Sequence, residues 1–247
     1  MTAGVIVLKF GGSVLRSAAA YPAVATEITR WRGDGLQVVA VVSALAGRTD
    51  ALLAECRASG SEPSPFAVAA RAALGELESS SLLGLELDRC GIDAAVLDPA
   101  AIGLRALGPP LDADLVDVET GRLRAVLQRH GVAVVPGFVA VDGGGRTVLL
   151  GRGGSDLTAL FLAQRLRARC RLLKDVPGLR GRDARGNTTA PLPAADYQAV
   201  LALGGRLVQP KAVAFARAHA VRFEIAALGA EVATVVGPAL DSDAECG

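Results

Sequence analysis

The sequence predicts an α/β fold, a mainly parallel sheet covered by helices on both faces. Two observations carry that prediction. Short aliphatic runs of strand length recur along the chain without polar alternation, as in "VIVLKF" (5–10) and "LQVVAVVSA" (36–44), which is the pattern of strands buried on both faces. Longer helix-like stretches lie between most of them, and strand–helix alternation of this kind builds parallel sheets. A chain of 247 residues, 51% hydrophobic and 21% charged, can bury a sizeable core, and its length fits one folding unit.

In chain order, the strand at 5–10 feeds a helix over 17–32, and the strand at 36–44 feeds a helix over 46–59. The polar, proline-containing connection "SGSEPSPF" (59–66) leads into a helix over 66–89, followed by a strand in "DAAVLD" (93–98). The stretch "LGPPLDADLVDVETG" (107–121) holds four acids and reads as a short hairpin or lid. A helix over 123–130 precedes the strand "VAVVPGFVA" (132–140), and the glycine turn "DGGGR" (142–146) joins it to "TVLLG" (147–151) as a β-hairpin. The remaining helices span 157–169, 194–203 and 211–219, with strands in "CRLLKDV" (170–176), "RFEIAAL" (222–228) and "EVATVVG" (231–237). Sheets of this kind bind ligands at the carboxyl ends of their strands, so the loops that follow strands are where function belongs.

Composition excludes several classes. A net charge of +1 gives no electrostatic footprint for nucleic acid, which needs basic residues gathered on one face, and a small ligand is expected instead. No stretch approaches the roughly 18 consecutive apolar residues of a membrane span, and the N-terminus lacks the charged and apolar regions of a signal peptide; a cytoplasmic protein is expected. Cys56, Cys90, Cys170 and Cys246 have no CxxC spacing, which predicts reduced, mostly buried thiols and no zinc site. His130 and His219 both fall at helix C-terminal ends, where a cation suits the dipole, so histidine chemistry is not indicated.

Four loops carry candidate chemistry. Lys9, one of only three lysines (Lys9, Lys174, Lys211), ends the first strand and is followed by Gly11, Gly12 and Ser13. Two residues without Cβ let backbone N–H groups turn toward an anion, and a lysine adds a compact positive charge for phosphate oxygens. The second strand ends in "VVSALAGRTD" (41–50), where Ser43 and Thr49 can hydrogen-bond a carboxylate or phosphate and Asp50 can cap the next helix. In "LLGRGGSDLTALFLAQRL" (149–166), Arg152 is a bidentate clamp for a carboxylate, Gly153 and Gly154 allow close backbone approach, and Ser155-Asp156 open a helix. An aspartate at that point holds lysines in place, since phosphates would repel it. In "CRLLKDVPGLRGRDARG" (170–186), Lys174 and Asp175 precede a Pro-Gly turn and Arg180, Arg182, Asp183 and Arg185, a phosphate clamp by composition. Each stretch also has a plain structural reading: a glycine turn, a helix cap, or a solvated charge cluster.

Taken in order, "KFGGS", "VVSALAGRTD", "GEL", "VPGF", "GRGGSD", "KDVPGL…DAR" and "GGRLVQPKA" resemble the amino acid kinase superfamily, and within it the catalytic domain of the aspartokinases, over nearly the whole chain. The resemblance implies a three-layer α/β/α sandwich, with an N-terminal lobe (about 1–145) binding the acceptor and a C-terminal lobe (about 146–247) binding MgATP. It implies that Lys9 stabilises the transferring phosphoryl group, that Gly11, Gly12 and Ser13 face the phosphates, and that Asp156 organises the lysines. Ser43, Thr49, Glu76, Arg152, Gly153, Gly154 and Ser155 become acceptor contacts, with Glu76 near the substrate amine. Lys174, Asp175, Arg180, Asp183, Arg185 and Arg206 become nucleotide contacts, with Mg²⁺ held mainly by ATP phosphates. A homodimer is implied as well.

The chain departs from the aspartokinase pattern at Val14, Lys174, Arg180, Ala184 and Arg206, mostly on the nucleotide side. It stops at Gly247, which predicts no ACT-domain feedback unless another polypeptide supplies it. The expected reaction is phosphorylation of the side-chain carboxylate of L-aspartate. Another acceptor (a different carboxylate, carbamate, phosphate or phosphonate) and a non-catalytic nucleotide-binding regulatory subunit stay open as alternatives.

Overall fold

The structure is a computed structural model, and it describes residues 3–58, 62–182, 188–205 and 207–238. Fourteen strands and seven helices are described: β1 (Val5–Phe10), α1 (Tyr21–Gly33), β2 (Gln37–Val42), α2 (Arg48–Arg57), α3 (Pro65–Arg89), β3 (Ala94–Val96), β4 (Arg105–Leu107), β5 (Asp114–Asp117), α4 (Thr120–His130), β6 (Val132–Pro136), β7 (Val139–Val141), β8 (Thr147–Leu149), α5 (Gly154–Leu166), β9 (Arg169–Lys174), β10 (Arg180–Arg182), β11 (Thr188–Pro191), β12 (Ala194–Asp196), α6 (Tyr197–Leu201), α7 (Pro210–Ala218), β13 (Phe223–Ala227) and β14 (Thr234–Gly237). One eight-stranded sheet runs in the order β12-β14-β13-β9-β1-β2-β6-β3. Every pairing in it is parallel except β13 with β14.

Alternation along the central strands fixes the layers, because successive side chains point to opposite faces. Ile6, Leu8 and Phe10 pack with Val38, Ala40 and Val42 against Val24 and Ile28 of α1 and Leu83 and Leu87 of α3. Val7, Val39 and Val41 pack on the other face against Leu127 of α4, Leu160 of α5 and Val213 of α7. The fold is therefore the expected three-layer α/β/α sandwich. The antiparallel pair β4–β5 confirms the hairpin read at 107–121, and β7–β8 the one around the glycine turn; together they form a second sheet, β5-β4-β7-β8.

Four expectations are corrected. The apolar run 132–140 is two strands in two sheets, which part at Gly137, one residue after Pro136 ends β6. Gly137 still donates its N–H to Val42 O at 2.8 Å, and it lies so close to α5 that a Cβ would sit 2.6 Å from that of Ser155. The stretch 194–203 begins as strand β12, and only past Asp196, whose Oδ1 accepts the Ala199 N–H at 2.7 Å, does it become helix. The run at 93–98 is a short edge strand, partly exposed rather than fully buried. Of the described cysteines, only Cys170 is buried. Both histidines do end helices: His130 lies 2.7 Å from Asp93, and the His219 ring is 4.5 Å from that of Phe215. No described helix is long and apolar enough to cross a membrane.

Candidate active site

The helices that follow β1 and precede β9 cover opposite faces of the sheet, so a crevice opens at the carboxyl ends of these two neighbouring strands. There the structure has a cleft of about 690 Å³ lined by residues from β1, the loop after β2, α2, α3, β8, α5, β9 and the segment before α7.

Its floor follows from strand register. Lys9 shares the face of Val7, so it points at α5, and Lys174 at the end of β9 points the same way. Both ammonium groups meet Asp156 in the first turn of α5: Lys9 Nζ at 2.6 Å from Oδ1, Lys174 Nζ at 3.0 Å from Oδ2 and 3.2 Å from Oδ1. All three side chains are more than nine-tenths buried. Burial and the neighbouring Lys174 lower the Lys9 ammonium to about 8, against the pull of Asp156. Burial works against the Asp156 carboxylate, but the two lysines more than offset it and hold the group below its ordinary value. One anion thus keeps two cations side by side in a low-dielectric floor.

The loop after β1 turns tightly, with Gly11 O accepting from Val14 and Leu15 N–H. A Cβ on Gly11 would lie 2.7 Å from Lys9 Nζ, so glycine is what lets the ammonium lie against the backbone. Gly12 and Ser13 line the cleft beyond it, as do Ser43 and Thr49 after β2. Glu76 reaches in from α3: its Oε1 accepts the Ala44 N–H at 3.2 Å, while Oε2 is buried with no hydrogen-bond partner. Burial raises this carboxyl to about 7, against the Ala44 bond and the Lys9 charge.

The fourth wall is the turn before α5. Gly151 and Gly153 have φ of 73° and 83°, values at which a side chain is strained. Arg152 between them is exposed and makes no ion pair among the described residues, while Gly154 and Ser155 start the helix with first-turn amides that lack intrahelical partners. A Cβ on Gly153 would also collide with Gln209. Gly153→Ala is therefore expected to destabilise the protein by about 1–3 kcal/mol, whereas Gly121→Ala, at an open helical position with nothing near its Cβ site, should stabilise it by up to about 1 kcal/mol; urea titration of both variants checks the contrast.

Of the nucleotide-side residues, Lys174 and Asp175 line the cleft, Asp175 also pairing with Arg16 at 3.3 Å. Arg180 does not line it and is exposed on β10. Asp183, Arg185 and Arg206 lie outside the described residues. Sequence reasoning missed Leu111, Phe138, Leu207 and Gln209, all of which line the cleft. Each lay in a quoted stretch without being singled out: Leu111 in the hairpin or lid, Phe138 in "VPGF", and Leu207 and Gln209 in "GGRLVQPKA". Neither histidine lines the cleft, and among the described residues no three His, Cys, Asp or Glu gather as metal ligands.

Comparison with known proteins bears on this arrangement. The model of the amino acid kinase family matches residues 4–237. Aspartokinase 2 of Bacillus subtilis is 34% identical over 227 residues, which is 90% of this chain and 56% of the relative. The chain thus spans about half the length of the curated relatives it matches. Among solved structures, Escherichia coli aspartokinase III in complex with lysine and aspartate superposes with a TM-score of 0.80 at 20% identity, over 96% of this chain and 66% of that one. Carbamate kinase from Giardia lamblia bound to AMP-PNP gives 0.67 at 12% identity, over 96% of this chain and 99% of that one. At those identities the two structures speak for the fold.

Proposed function

The chain belongs to the amino acid kinase family, and on that premise we propose that it transfers the γ-phosphoryl group of MgATP to the side-chain carboxylate of L-aspartate. The observation that carries the reading is the pair of lysines converging on buried Asp156 beneath an arginine that has no partner among the described residues. In this reading residues 1–145 serve mainly the acceptor and residues 146–247 mainly the nucleotide, with Lys9 and the glycine loop crossing to the phosphates and the turn at 152–155 to the acceptor, and the protein works as a cytoplasmic homodimer.

The acceptor carboxylate is ionised near neutral pH, so no general base is required. One of its oxygens attacks the γ-phosphorus, the bond to the β,γ-bridging oxygen breaks, and ADP leaves with the electron pair. Lys9 and Lys174 neutralise charge on the moving oxygens, and the glycine-loop amides hold the phosphates in line. Arg152 grips the α-carboxylate, and the unpartnered Oε2 of Glu76 accepts the ammonium. Magnesium would neutralise phosphate charge; with no protein cage among the described residues, it fits as an ion carried mainly by the nucleotide and water. Asp183, Arg185 and Arg206 keep their place in this reading as nucleotide contacts, together with Asp175, whereas Arg180, which lies outside the cleft, has no part in it.

The deciding experiment is Arg152→Ala in a coupled assay of ADP release. The KM for aspartate is expected to rise at least about thirtyfold, the loss of a charged hydrogen-bonded pair, with the KM for ATP little changed. An unchanged aspartate KM rejects the acceptor assignment. The free groups also set a pH profile. Glu76 must be ionised and Lys9 protonated, so kcat/KM for aspartate should rise as pH passes about 7 and fall as it passes about 8. Initial rates across the neutral and alkaline range check this, and Glu76→Gln should abolish the rising limb.

A further inference from the structure

The third lysine of the chain takes no part in the cleft floor, yet it is the most heavily coordinated of the three. Lys211, in the first turn of α7, donates to Asp112 Oδ1 at 2.6 Å, to Ala113 O at 3.0 Å and to Leu150 O at 3.1 Å, and lies 3.1 Å from Asp114 Oδ1. Burial lowers its pKa, but Asp112 and Asp114 together more than offset that and raise it above the ordinary value. Both carboxylates are largely exposed, so the ion pairs contribute little on their own. The two carbonyls are different: they belong to fully buried residues, and such an acceptor left without its donor is costly.

What those carbonyls belong to is the point. Leu150 immediately precedes the left-handed pair Gly151 and Gly153 that presents Arg152, and it bridges Asp112 in the loop whose Leu111 lines the cleft. Gly151 has no Cβ where the Asp112 carboxylate lies, and Gly153 none where Gln209 lies, two residues before Lys211. The base of the arginine turn is thus pinned from below by one ammonium group, while Arg152 itself has nothing among the described residues to aim it.

We propose that Lys211 is a positioning residue for acceptor binding: by joining Leu150 O to the 112–114 segment it fixes the direction in which Arg152 projects and the depth of Leu111 over the acceptor. This rests on the assignment of Arg152 to the acceptor carboxylate. An ammonium suits the task because its three donors fan out toward oxygens on different segments; a planar guanidinium cannot reproduce that fan.

The test is a double-mutant cycle with Lys211→Met and Arg152→Ala, read as KM for aspartate, KM for ATP, kcat and melting temperature. Lys211→Met alone should raise the aspartate KM about fivefold, with the ATP KM and kcat within about twofold, and Lys211→Arg should restore only part of it. In the Arg152→Ala background the added rise should fall below about twofold, because the two side chains act through one another. Additive effects, or a loss shared equally by both substrates with a lower melting temperature, overturn the Lys211 proposal alone. An unchanged aspartate KM in Arg152→Ala overturns the acceptor assignment and this proposal with it.

Discussion

Lys9→Met is expected to lower kcat by about a thousandfold or more while the protein stays folded. Catalysis in this reading is placement plus charge neutralisation, and Lys9 Nζ is the cation held 2.6 Å from Asp156 at the cleft floor. Folding survives because Asp156 keeps Lys174 at 3.0 Å, so removing one ammonium leaves no uncompensated buried anion. Methionine also retains most of the apolar stem. kcat and kcat/KM should fall together, the signature of an interaction made in the transition state. Lys9→Arg should not rescue: the buried Nζ lies so close against the Gly11 backbone that even an added Cβ there would be 2.7 Å from it, and a guanidinium is larger than the ammonium it would replace. Turnover within about threefold of the parent, in a variant with an unchanged melting profile, removes Lys9 from the reaction.

Lys9 stands out in the sequence itself, and the reason is general. A lysine in the aliphatic run 5–10 contradicts its surroundings, and such a contradiction is readable before any fold is known. The sheet was legible for a related reason: a stretch such as 38–42 is apolar at every position because helices cover both of its faces. What escaped depends on contacts distant in sequence. Nothing in "VAVVPGFVA" says that the chain changes sheets at Gly137, since the cause is Ser155 on a helix 18 residues away. The helix expected from Ala194 fails at its start because β14 offers that segment a strand to pair with. Gln209 and Lys211 lay in a quoted motif, but no role could be read for either; their meaning comes from Gly153 and Leu150, some sixty residues earlier. Lys174 and Asp156 were each singled out, but only folding reveals that one carboxylate serves two lysines.

That sharing makes Asp156→Asn the second large effect. The amide keeps the size and loses the charge, leaving two buried ammonium groups facing each other with no anion between them. Breaking a buried ion pair from one side costs about 3–5 kcal/mol, and here two cations lose their partner at once. The sign of the pH dependence separates this account from a simple packing defect. In the parent, Asp156 lies below its ordinary value, so its stabilisation is present above the unfolded pKa and is lost as pH falls through the folded one. In the variant the lysines dominate. Lys9 already sits at about 8 against an ordinary 10.5, and without Asp156 it must fall further. A lysine whose folded pKa is depressed costs stability while charged, and the cost fades as pH rises from the folded value toward the unfolded one. Urea unfolding should therefore show a deficit of about 3–5 kcal/mol near neutrality that shrinks clearly by about pH 9. Lys9→Met added to Asp156→Asn should recover part of it by removing the like-charge contact. A deficit that is the same at both pH values, and untouched by the second substitution, means that Asp156 holds the helix start by packing and not by charge.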